Sequence, residues 1–111
     1  MFRDEVKQKI AEELRRGEAA RKTGMEGRAR VCARRAAGEA VREALAQRGR
    51  AVAGPSAVDM LAALREDPET SAEVRAAAER LLMRVDEGYT LPKEIDLLAD
   101  ARMLVEALQR G

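Results

Sequence analysis

The chain has 111 residues, with 21 Lys and Arg against 20 Asp and Glu, no His, one Cys and no Trp. That length sets one domain with one core, and near-cancelled charge, together with many Ala, Arg, Glu and Leu, points to an all-helical fold rather than a disordered chain. The missing His excludes Ser-His-Asp, Cys-His and His-metal chemistry, and the lone Cys32 allows neither an internal disulfide nor a zinc or iron-sulfur site.

Phe2, Val6, Ile10 and Leu14 recur every four residues with charged residues between them, which predicts helix one over residues 3–22. Gly17 interrupts it at a cost of about 1 kcal/mol relative to Ala, so a kink or a close contact is expected there. Thr23, Gly24 and Gly27 mark a short turn. Helix two is predicted over residues 26–48. At 100° per residue, Ala29, Ala33, Ala36, Ala37, Ala40 and Ala44 fall in a sector roughly 100° wide, flanked by Val41 and Leu45. Arg28, Arg35, Glu39 and Arg42 gather on the opposite side, with Arg30 and Arg34 at one border of the apolar sector. A face made of methyl groups lets a neighbouring helix approach at the short end of the usual range of roughly 8–10 Å, and mid-helix Gly38 suits the same closeness. Ala29, Ala33, Ala36 and Ala40 are therefore the candidate helix-packing or dimer face.

Residues 48–56 read as a loop containing Gly49, Gly54 and Pro55, after which Ser56 and Asp59 form a capping box. Helix three follows over residues 57–66 and is expected to bury Val58, Leu61 and Leu64, until Asp67 and Pro68 stop it. Thr70 and Glu73 read as a second capping box, opening helix four over residues 71–86 with Val74, Ala78, Leu81, Leu82 and Val85 inward. Gly88 ends it. Residues 89–92 are extended, and helix five spans residues 93–109 with Leu97, Leu98, Ala101, Leu104, Val105 and Leu108 on one side. No Gly-rich phosphate loop, repeat or alternating strand pattern occurs. The expected architecture is a four- to five-helix up-and-down bundle.

The large core formers are few, since Leu, Ile, Val and Phe make 22 of 111 residues. Association is one common way to bury more apolar surface, so a homodimer is expected. Phe2 and Tyr89 are the only aromatic residues, too few for a base-stacking platform. No signal-peptide core and no 18-residue apolar run occurs, which places the expected location in the cytoplasm. The mixed charges of helix one favour a helix partner over a membrane surface.

Charge is unevenly spread: residues 1–27 carry +1, residues 28–54 carry +5 and residues 55–111 carry −5. The favoured reading pairs the Arg-rich second helix with the acidic helices that follow, within the chain or across a dimer. The sharper one is an outward basic face that touches phosphate. Arg outnumbers Lys 17 to 4, which suits bidentate contacts but equally reflects a GC-rich genome. Asp96 and Asp100, one turn apart, are read as solvated or Arg-paired, since the His half of a di-metal motif is absent. Asp86 and Glu87 form a solvated helix end, and Tyr89 beside Leu91 and Pro92 is read as a packing residue. No cofactor or metal is expected.

The stretch GRARVCARRAAGEAVREAL, residues 27–45, resembles the long second helix of HEPN domains, small bacterial and archaeal helical bundles. GPSAVDMLAAL is similar to their short third helix, VRAAAERLLMRVDEG to the fourth and LPKEIDLLADARMLVEAL to the closing helix, so the resemblance runs over residues 1–110. It implies dimerisation, and in active members RNA cleavage by an Arg followed four to six residues later by a His. With four to six residues between, the positions after Arg102 hold Ala107, Leu108 and Gln109 and those after Arg84 hold Tyr89, Thr90 and Leu91, so no catalytic residue carries over. Gly38, where many members have Glu, is a further departure. The resemblance also implies non-catalytic members that partner a nucleotidyltransferase, often in toxin–antitoxin pairs.

The leading expectation is thus a non-catalytic HEPN-like interaction module that dimerises through apolar helix faces. The alternative is an RNA- or nucleotide-binding domain using Arg28, Arg35 and Arg42. A ribonuclease relying on Tyr89 with a carboxylate ranks third.

Overall fold

A computed structural model describes residues 1–50, 54–83 and 95–110. Within them lie α1 (Asp4–Lys22), α2 (Glu26–Gln47), α3 (Ala57–Glu66), α4 (Ala72–Leu82) and α5 (Leu97–Arg110). The expectations for Arg84, Val85, Asp86, Glu87 and Gly88, and for the extended segment with Tyr89, fall outside the described residues.

α1 and α2 form an antiparallel hairpin whose turn is set by glycine. Gly24 adopts φ +78°, and past Thr23 the Met25 N–H donates to Ala20 O and the Gly24 N–H to Arg21 O. These two bonds are a Schellman closure, which needs a left-handed residue at that point. α2 ends the same way. Gly49 has φ +70°, with Arg50 N–H on Leu45 O and Gly49 N–H on Ala46 O.

The buried face of α1 comprises Phe2 just before it, then Val6, Ile10, Gly17 and Ala20. Leu14 is only half-buried. A four-residue spacing drifts about 40° per step on a helix of 3.6 residues per turn, so Leu14 has rotated to the edge while Gly17 and Ala20 return to the centre. A Cβ placed on Gly17 would lie 2.6 Å from Leu98 Cδ2 and 3.3 Å from Cys32 Cβ. This is the close contact expected there.

α2 is the central helix and packs against α1, α5, α3 and α4. Ala29, Ala33, Ala36, Ala37 and Ala40 are 0% exposed. Side chains of one atom let α1 and α5 press against its backbone, and dispersion contacts along the seam supply what large side chains do elsewhere. At Gly38 a Cβ would lie 2.9 Å from Ala57 Cβ and 3.0 Å from Ala57 Cα, so the start of α3 rests on the α2 backbone.

That contact fixes the direction of α3 and corrects the simple up-and-down order. α3 begins beside Gly38 and ends at Asp67, whose carboxylate lies 3.5 Å from Arg48 and 3.2 Å from Arg50. α3 therefore advances along α2 in the same sense. It also turns the helix: Ala57, Met60, Leu61 and Leu64 face inward, while Val58, one step round, is 44% exposed. The expected burial of Val58 is thus replaced by Met60.

Ser56 and Asp59 form the expected capping box, with Ser56 Oγ accepting from Asp59 N–H at 3.1 Å. The cap of α4 sits one residue later than expected. Ser71 Oγ accepts from Val74 N–H, and the Thr70 hydroxyl instead donates to Leu64 O at the end of α3. α4 ends at Leu82 rather than at residue 86, because the Arg34 guanidinium takes Leu81 O and Met83 O at 2.7 and 2.8 Å and Met83 turns to extended backbone. A cation there also suits the negative end of the helix. Ile95 and Asp96 lie outside α5, and Asp96 Oδ1 accepts from Ala99 N–H as its cap, so α5 starts after residue 96 rather than at residue 93.

Residues before α1 are tied to α2. Glu43 is buried, yet its carboxylate accepts from the Arg3 backbone N–H at 2.9 Å and from the Arg3 guanidinium at 3.1 Å. The hydrogen bond from the Arg3 side chain, and then that from its backbone, hold the Glu43 carboxyl below the usual carboxylate range. A carboxyl whose folded pKa is depressed stabilises the fold above the ordinary Glu value of about 4.3, and loses that contribution as pH falls through the lower folded value. Thermal melts between pH 6 and pH 2 should show wild type more stable than Glu43→Gln at pH 6, with the gap closing toward acid. An equal gap throughout would place the effect of Glu43 in its shape rather than its charge.

Candidate binding surface

Most of α2 is covered by its neighbours, and among the described residues its exposed positions between the two ends lie on one strip. On a helical projection Val31, Arg42, Arg35 and Arg28 fall within about 60° of each other, and all four are exposed. The Ala face lies across the helix axis from them, inside the chain. Ala29, Ala33, Ala36 and Ala40 therefore act in helix packing and are not available to a second copy.

The arginines of this region divide by partner. Arg48 and Arg50 converge on Asp67, whose residue is 1% exposed and whose Oδ1 also accepts from Glu69 N–H. Arg34 binds the end of α4. Arg42 reaches Pro55 O at 2.6 Å and lies 3.8 Å from Glu39 of its own helix. Arg28 and Arg35 have no hydrogen bond or ion pair among the described residues. Among the described residues, ion pairs to the acidic part of the chain are seen at Arg48 and Arg50, just past the end of α2. Two carboxylates at the start of α5 are matched by other helices: Asp100 by Arg80 at 2.9 Å, and Asp96, just before α5, by Arg21 of α1 at 3.0 Å. Burial pushes the Asp96 carboxyl up, but the hydrogen bonds from Ala99 N–H and Arg21 outweigh it and hold the group low. Both aspartates are Arg-paired, as one of the two sequence readings had it.

Arg28 and Arg35 overlook a groove of about 700 Å³ between the end of α1 and the start of α2. Its walls include Ala19, Ala20, Met25, Val31 and Cys32, so the floor is apolar. Met25 and Val31 are 44% and 42% exposed. A second groove of about 440 Å³ continues along the same seam, past Lys9, Glu39 and Arg42. Arg16, Glu13 and Arg35 border both. Glu12 and Glu13 are both ion-paired with Arg16, at 2.7 and 3.3 Å, which leaves one negative charge there against the positive charges of Lys9, Arg28 and Arg35.

Cys32 is buried against this floor with no second thiol in the chain. Among the described residues no cluster of three or more carboxylate or thiol side chains is placed to hold a metal ion, and no helix is long and apolar enough to cross a membrane. The sequence reading missed the exposed Met25 and Val31 between the arginines. Their signal was present, because Arg28, Val31 and Arg35 stand at i, i+3 and i+7, the spacing of one helix face. Compared with family models, curated protein sequences and solved structures, this chain finds no match.

Proposed function

We propose that the chain is a non-catalytic, HEPN-like interaction module that works as a homodimer and engages a partner protein, a nucleotidyltransferase in a toxin–antitoxin-type setting. The observation that carries this reading is the one open strip of the central helix. It presents two unmatched guanidinium groups on either side of exposed Val31, on a helix held rigid by contacts on its other sides. Arg16, Arg21 and Arg42 beside it are ion-paired with Glu12, Glu26 and Glu39, so among the described residues the strip stands out as surface kept for another molecule. The all-helical order agrees with the resemblance, and the sequence offers no His for the family's RNA-cleaving pair.

Since the Ala face is used up inside the chain, a dimer would form through other surface. Sedimentation velocity at micromolar concentration should give a dimer, and a stable monomer would count against that part of the reading. A nucleotidyltransferase encoded by the adjacent gene would support the partner.

The second reading, RNA or nucleotide binding through Arg28, Arg35 and Arg42, is favoured by the unmatched charges of the first two. The engagement of Arg42 with Pro55 O and Glu39 weakens it. Phosphate binding by three arginines would fall steeply with salt, by counterion release. Filter binding with labelled RNA at low and moderate salt, on wild type and on the Arg28→Glu/Arg35→Glu/Arg42→Glu variant, separates the two readings.

A further inference from the structure

Resting on the interaction-module reading, we infer that the groove between the end of α1 and the start of α2 docks an acidic amphipathic helix of a partner protein. Its apolar side chains cover Met25 and Val31, and its carboxylates meet Arg28 and Arg35.

Spacing and charge both point to this occupant. Arg28 and Arg35 are seven residues apart on α2, about 10 Å along the axis. A helix laid along the groove presents carboxylates at i and i+7 over the same distance, with apolar side chains at i+3 and i+4 between them. Val31 sits in that interval on this chain, and Ala19, Ala20 and Cys32 extend the apolar floor toward α1. The small side chains of that floor leave the depth a Leu or Met from the partner needs. Guanidinium groups at the rim then bind carboxylates bidentately, and with Arg16 held by Glu12 and Glu13 the free cations of this rim are Arg28 and Arg35.

A nucleic acid fits less well. Phosphates along the strip would leave Val31 and Met25 uncovered, and among the described residues no aromatic side chain borders the groove to stack on a base. Among the described residues of a second copy, the acidic stretch with Glu66, Glu69 and Glu73 carries no exposed large apolar side chain to fill the floor.

The test is selection of helical peptides from a displayed random library on the wild-type protein, with counter-selection on Arg28→Glu/Arg35→Glu. Recovered peptides are synthesised and measured by fluorescence anisotropy. Enriched sequences are expected to carry Asp or Glu at i and i+7 and Leu, Ile or Met at i+3 or i+4. The double charge reversal and, separately, Val31→Asp should each weaken binding about tenfold or more. Arg15→Glu, on another side of α1, should leave it unchanged, and circular dichroism checks that each variant folds. Neutral or basic enriched peptides, equal affinity for the double variant, or no enrichment would overturn the inference. Displacement of the peptide by oligouridylate in an Arg28- and Arg35-dependent way would overturn it in favour of RNA. A dimer that survives the double reversal while no acidic peptide binds would retain the interaction module and remove this groove from it.

Discussion

Ala36→Leu should destabilise the bundle by about 3 kcal/mol, the upper end of what overpacking a core costs. Ala36 is fully buried at the middle of α2, where neighbouring helices lie against both its sides. Three added carbons have no unoccupied volume to enter, and relief requires α1 or α5 to move away along its length, loosening contacts at Ala33 and Ala40 as well. Against a total stability of about 5–15 kcal/mol for a domain, that is a large share. Urea unfolding should give a lower midpoint with an unchanged slope. Ala46→Leu, on an exposed position of the same helix, serves as the control and should be close to neutral. If both substitutions had equal effects, close backbone approach would not be what holds α2 in place.

Leu104→Ala should cost about 2–5 kcal/mol, the loss of transfer free energy plus the cavity left behind. Leu104 is fully buried on α5, which packs against α2 and α4. The alanines of α2 have no rotamers with which to fill a void, which places the cost toward the higher end of that range. For a domain near this size the melting temperature should fall by on the order of 10–20 °C in a calorimetric scan. A drop of only a few degrees would mean that α5 shifts bodily inward.

The parts of this fold that sequence made legible are those whose partners lie within a few residues. Gly24 and Gly49 past the ends of α1 and α2, and the Ser56–Asp59 box, are local arrangements in which residue type and backbone shape determine each other. The methyl face of α2 and the outward arginines follow from helical period alone. What stayed hidden depends on distant segments. Arg34 meets the end of α4 47 positions away, and Glu43 meets Arg3 at a separation of 40. No spacing rule announces either pair. Asp67 read as a helix stop, because nothing nearby in the chain shows that two arginines would bury it. Val58 was misplaced for a similar reason: the rotation of α3 is set by Ala57 seating on Gly38, a contact between helices. Of the candidate surface, the charged half was visible in the sequence. Its apolar half, though Val31 shares the helix face of Arg28 and Arg35, stood out once the burial of the Ala face left Met25 and Val31 outside.

The three-residue turn that joins α1 to α2 bears on how the molecule assembles. A short closed connection costs little chain entropy, so this hairpin can zip up from Thr23 outward before any distant part of the chain arrives. α3, α4 and α5 then settle onto a template already formed. On that order of events, damage to the alanine seam slows folding itself, whereas damage to the later helices chiefly hastens unfolding.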